Sequence, residues 1–79
     1  MSEDEIYVGL NELFNDVFMR DDIDLKPSTT AADVDGWDSF KQIEIVISVE
    51  EKYDIKFSTK DLDNLKTVGD LVALISGKI

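Results

Sequence analysis

Seventy-nine residues with no Cys and no His, and 18 acidic side chains against 8 basic for a formal charge of −10, describe one small acidic domain, 1–79. The usual catalytic nucleophile, the usual general base near neutral pH and the two commonest transition-metal ligands are all missing, so the chain supplies little chemistry of its own and is expected not to be an enzyme. Disulfides are excluded, and neither a signal-peptide pattern nor a long apolar run is present, which points to a cytoplasmic protein without membrane insertion. The negative field opposes nucleic acid and favours basic protein surfaces, and a hydrophobic content of 43% argues against disorder.

Ser2-Glu3-Asp4-Glu5 has capping-box form, with acidic side chains where the helix dipole favours them. Behind it Ile6, Leu10, Leu13, Phe14, Val17 and Phe18 recur at intervals of three and four, predicting a helix to about Met19 whose polar face carries Asn11, Glu12 and Asp16. From Asp21 to Trp37 the period is lost and Asp, Thr, Ser and the single Pro accumulate, as in a long surface loop pinned by Ile23, Leu25 and Val34. A connection of that length is often functional.

Ser39-Phe40-Lys41-Gln42 repeats the capping spacing and opens a second helix to Tyr53. At 100° per residue its apolar side chains, Phe40, Ile43, Ile45, Val46, Ile47, Val49 and Tyr53, cover an arc of about 220°, wider than one core-facing stripe needs. Phe40 and Ile47 lie beside Glu44 and Glu51, the pattern of a docking surface. The competing reading makes this the most buried helix, with Phe40 under the loop. Phe57 is an apolar anchor, Ser58 to Asp61 starts a short helix, and Thr67 to Asp70 caps a last one with Val68, Leu71, Val72 and Ile75 on its apolar face and Gly77 as its stop. The expected fold is all-α: a small antiparallel four-helix bundle with three main helices, one short helix and a long loop between the first two.

Gly36-Trp37-Asp38-Ser39-Phe40 resembles the Asp-Ser-Leu attachment motif of the acyl carrier protein family, with Phe for the commoner Leu. The likeness extends to Ile43-Glu44, the Glu50-Glu51 cluster, Phe57 and Lys66-Thr67-Val68-Gly69-Asp70-Leu71, nearly the whole chain. It implies that Ser39 receives 4′-phosphopantetheine from coenzyme A, that Asp38 helps a phosphopantetheinyl transferase recognise the site, and that acyl groups ride on the arm as thioesters. A chain without Cys would thus take its sulfur from a cofactor. It also implies recognition by basic patches on acyl-loading and acyl-processing enzymes through Glu44, Glu50 and Glu51, with Phe40 and Ile47 as apolar contacts.

Read without the resemblance, Ser39 is an ordinary N-cap with Gln42 as box partner, a role compatible with attachment. Asp33, Asp35 and Glu44 match three positions of a calcium loop, but the sixth is Asp38 where Gly is required, so no metal site is expected. Lys41 and Lys52 interrupt the acidic face, which leaves fatty acid synthesis, polyketide synthesis and other specialised pathways open, along with peptidyl or D-alanyl carriage. An unmodified acidic interaction module is the alternative of another class. A standalone monomeric chain beginning at Met1 is expected.

Overall fold

The computed structural model describes Ser2 to Ile79; Met1, where the reading of a standalone chain begins, lies outside the described residues. Four helices follow one another: α1 (Glu3–Phe18), α2 (Ser39–Tyr53), the short α3 (Thr59–Asp63) and α4 (Val68–Lys78). Their starts are written in side chains. Ser2 Oγ accepts from Glu5 N while the Glu5 carboxylate accepts from Ser2 N, and Ser58 with Asp61 and Thr67 with Asp70 form the same reciprocal pair at α3 and α4. Each box satisfies two backbone donors that the first turn would otherwise leave unpaired. Among the described residues no strand competes, and the architecture is the all-α bundle expected.

The helix ends follow the sequence reading at α1 and α2 and depart from it at α4. α1 stops at Phe18, because Met19 turns left-handed (φ 55°) and lets Arg20 N donate to Asn15 O at 2.9 Å. α2 closes alike, with Asp54 at φ 53° and Ile55 N on Glu50 O at 3.1 Å. Both closures satisfy terminal carbonyls. Gly77, by contrast, does not stop α4. The helix continues to Lys78, whose Nζ reaches Asp61 Oδ2 at 3.2 Å and ties α4 to α3. The Ser58 backbone N–H, aided by this ammonium, holds the Asp61 carboxyl below the usual carboxylate range.

The core is built mainly from α1 and α4. Ile6, Leu10, Leu13 and Phe14 of α1 meet Val68, Leu71, Val72 and Ile75 of α4, whereas α2 buries only Ile45 and Val49. α1 packs against both α2 and α4, so it, and not α2, is the central helix. The competing reading of a deeply buried α2 is thereby overturned, and much of its wide apolar arc faces outward.

The long loop is fastened at both ends. Asn11 Oδ1 accepts from Leu25 N at 2.7 Å, and Asn15 pairs through Oδ1 and Nδ2 with both backbone groups of Ile23. These two asparagines, one turn apart, offer the loop backbone the partners that a strand would. Leu25 and Val34 are buried and Ile23 packs on the core, as expected. Farther on, Val68 N donates to Thr29 O at 2.8 Å and Gly69 N to Pro27 O at 2.9 Å, so the loop caps the start of α4. Space for that approach exists because residue 69 has no Cβ, which would stand 2.8 Å from Pro27 O.

The two helical glycines of α4 should therefore answer oppositely to alanine. Gly69→Ala must push the loop backbone away and should cost roughly 1–3 kcal/mol, the scale of an overpacked contact. Gly77→Ala meets nothing within 4 Å and should stabilise by a few tenths to about 1 kcal/mol through helix propensity. Urea unfolding of both variants checks the contrast, and a stabilised Gly69→Ala would mean the clamp is slack.

Candidate functional site

Three consecutive side chains leave the loop in three directions. Trp37 N donates to Val34 O at 3.2 Å across a turn whose third residue, Gly36, has φ 88°, a conformation other residues adopt only with strain. That turn sends the half-buried Trp37 inward, where its ring meets Phe14 edge-on with centroids 5.1 Å apart. Asp38 comes next, extended, and Oδ1 accepts from Lys41 N at 3.0 Å. Ser39 then opens α2, exposed to solvent.

Asp38, not Ser39, is thus the N-cap. A one-residue shift separates this from the sequence reading, and both residue types cap well. Gln42 correspondingly is no box partner: its Oε1 accepts from the Trp37 indole N–H at 2.7 Å. Freed from capping, the Ser39 hydroxyl has no hydrogen bond among the described residues, and neither do the backbone N–H groups of Ser39 and Phe40. An exposed hydroxyl beside two open donors at the positive end of a 15-residue helix is a place where a phosphodiester is welcome.

Beside Ser39 opens a cleft of about 570 Å³. Ile43, Val46, Leu65 and Leu71 give it apolar walls, while Trp37, Gln42 and Thr67 bring polar atoms to its lining. Ile43 faces this cleft and remains 57% exposed, a role that the periodicity of α2 did not separate from core packing.

The remaining site residues divide. Phe40, 79% exposed, and Ile47, 50% exposed, form with Ile43 a solvent-facing stripe along α2, with Glu44 and Glu51 exposed beside it. Glu50 does not join them. It is half-buried, and its Oε2 accepts from Phe57 N at 2.8 Å, fixing the link after α2. Glu44 is itself engaged, 3.4 Å from Lys41 Nζ. The same ammonium donates to Val17 O at 3.2 Å and lies 5.8 Å from the Phe18 ring centroid, binding the head of α2 to the end of α1. No basic residue occupies the last turn of α1, so Lys41 supplies from outside the cation its dipole favours.

A family model described as "Phosphopantetheine attachment site" matches residues 9–75. The chain is 36% identical to the acyl carrier protein of Acidothermus cellulolyticus over 96% of its own length and 90% of that protein's, and 36% identical to the meromycolate extension acyl carrier protein of Mycolicibacterium aurum over 94% and 76%. In fold it resembles the holo acyl carrier protein of Geobacter metallireducens, solved by NMR in solution, with a TM-score of 0.87 and 40% identity over 91% of this chain and 83% of the other.

The chain belongs to the acyl carrier protein family. The prosthetic group of that family is 4′-phosphopantetheine, and the residues at the head of α2 fit it: a free hydroxyl, open backbone donors and an adjoining cleft. Lys41 and Lys52 stay as departures from an acidic α2 face, and Lys41 now has a structural reason.

The shifted cap has a measurable consequence. Asp38→Ala removes the acceptor for Lys41 N and should cost about 1 kcal/mol, the usual scale for a lost cap. Ser39→Ala, one position inside the helix and without a side-chain partner, should change stability by less than about 0.5 kcal/mol, as surface substitutions do. Denaturant titration of the two variants decides it, and equal losses would return the cap to Ser39.

Proposed function

We propose that the chain is a non-catalytic carrier, a single domain of residues 1–79, whose Ser39 bears the phosphopantetheine arm and whose cleft shelters the acyl chain. The carrying observation is the pairing of an exposed, unengaged Ser39 hydroxyl with open N–H groups of α2 and an apolar cleft directly beside it. When bound, the arm supplies the thiol that holds an acyl group as a thioester. In its attachment Ser39 Oγ gives up a proton and bonds to phosphorus while the nucleotide half of coenzyme A leaves. Asp38 keeps the first turn formed, so that the hydroxyl is presented in one orientation to the phosphopantetheinyl transferase. Fatty acid, polyketide or related biosynthesis suits an apolar cleft better than peptidyl or D-alanyl carriage, whose cargo is polar.

Partners are proposed to meet the outward stripe of α2. Phe40, Ile43 and Ile47 offer apolar contact at the end that carries Ser39, and Glu44 and Glu51 offer charge to basic enzyme patches. Glu50, spent on Phe57 N, is left out of this surface. Because Lys41 already neutralises part of Glu44, Glu51 carries more of the steering. The net charge of −10 speaks for association by such attraction in the cytoplasm.

Mass spectrometry tests the attachment: with coenzyme A and a broad-specificity transferase, the wild type should gain one arm and Ser39→Ala none. A wild type that gains nothing across several transferases would sink the carrier reading and favour an unmodified interaction module.

Kinetics with the same transferase test the surface. Phe40→Ala should raise the off-rate about tenfold with little change in salt dependence, as for a desolvated apolar anchor worth about 1.4 kcal/mol. Glu51→Lys should slow association and flatten its salt dependence more than Glu3→Lys, which makes the same charge change at the start of α1. Equal effects from the two reversals would mean that only the overall field matters.

A further inference from the structure

Gln42, which lines the cleft, holds an unspent hydrogen-bond donor. An indole N–H can only donate, so the bond from Trp37 Nε1 at 2.7 Å fixes the amide of Gln42 with its oxygen toward Trp37. The amide NH₂ then keeps both protons, and among the described residues it has no acceptor. Trp37 is itself seated against Phe14, so the orientation is held from the core. Gln42 lines the cleft with Ser39 and Trp37, against the apolar side chains of Ile43, Val46 and Leu71. A saturated chain lying there would strip water from the amide and return nothing, whereas an oxygen on the chain would replace the lost bond.

Resting on the reading that Ser39 carries the arm, we propose that Gln42, oriented by Trp37, is a specificity-determining donor, and that the cargo this cleft favours is an oxygenated acyl chain, 3-hydroxyacyl or 3-oxoacyl, over a saturated chain of equal length. The amide oxygens of the arm offer the same acceptor chemistry, so the unacylated form is the necessary comparison. Gln42→Glu separates the two functions of the side chain: a carboxylate still accepts from the Trp37 indole but has no N–H to give. Gln42→Leu with Trp37→Phe removes both partners together, which leaves neither group unpaired if the single variant folds poorly.

The test loads the full-length protein from coenzyme A, butyryl-coenzyme A or 3-hydroxybutyryl-coenzyme A and verifies each form by mass. Nitrogen-15 spectra then follow the Gln42 amide and Trp37 indole protons, and thermal melts give Tm. In the wild type the 3-hydroxybutyryl form should move the Gln42 amide protons downfield and raise Tm above the butyryl form. In Gln42→Glu and in the double variant that Tm difference should be lost, with the indole proton of Gln42→Glu still hydrogen-bonded. Equal amide shifts and equal Tm for the two acyl forms overturn the proposal, as does an unacylated arm that moves the amide protons as far as the oxygenated cargo. Either result, with the mass gain present, leaves the carrier reading standing; absence of any mass gain removes both.

Discussion

The seating of Trp37 against Phe14 is the contact on which the Ser39 end of the molecule depends. Phe14 is fully buried at the centre of the core, and the indole that leans on it is separated from Ser39 by one residue only. Whatever fixes Trp37 therefore fixes where α2 begins. Gly36 supplies the left-handed backbone that lets the chain turn inward for one side chain and outward again two residues later. Asp38, between them, converts the reversal into a helix start by taking the Lys41 N–H. Core packing, turn and cap are thus one device spread over three residues, and its product is a hydroxyl held in the open.

A long loop could not keep such a device in register unless it were itself fixed. Backbone pairing to Asn11 and Asn15 on one side and to the first N–H groups of α4 on the other gives it that fixity without secondary structure of its own beyond the short 3₁₀ turn at Ala31–Asp33. The same clamp shapes the cleft, because Ala31 of the loop and Thr67 at the start of α4 both line it. Lys41 closes the third side of the frame by tying the head of α2 to Val17 O. The cleft is bounded by segments that lie far apart in the sequence and are joined by a handful of main-chain bonds.

Much of this was legible in the residues and some was not, for reasons that are physical. Capping boxes at Ser2, Ser58 and Thr67 could be read directly, because a box needs only two side chains three positions apart. At Asp38-Ser39 two good caps stand side by side, and local chemistry cannot decide between them; the turn at Gly36 and the pull of Trp37 into the core do. The α2 arc named Phe40 and Ile47 as surplus apolar side chains, yet Ile43 was indistinguishable from core until the packing of α1 against both α2 and α4 was known. Asn11 looked like an ordinary polar-face residue, since periodicity reports which face a side chain shares and not what comes to meet it. The family resemblance groups Glu50 with Glu44 and Glu51, but neighbours on a helix point about 100° apart, and that rotation turns Glu50 to Phe57 N.

The charge of the chain acquires a different meaning once these bonds are placed. Several carboxylates that count toward −10 are occupied at fixed points: Glu5, Asp61 and Asp70 on the N–H groups of the N-cap residues Ser2, Ser58 and Thr67, Asp38 on Lys41 N, Glu50 on Phe57 N, and Asp33 on Thr30 N. Acidity in this molecule is in good part the means by which short helices are started and links are closed, and a small domain with little core to spare depends on such caps. What is left for partners is correspondingly local. Along α2 it reduces to Glu51 and a partly neutralised Glu44 flanking an apolar stripe. On the docking surface proposed above, recognition is accordingly led by shape and apolar contact near Ser39, with the broad negative field acting on encounter more than on fit.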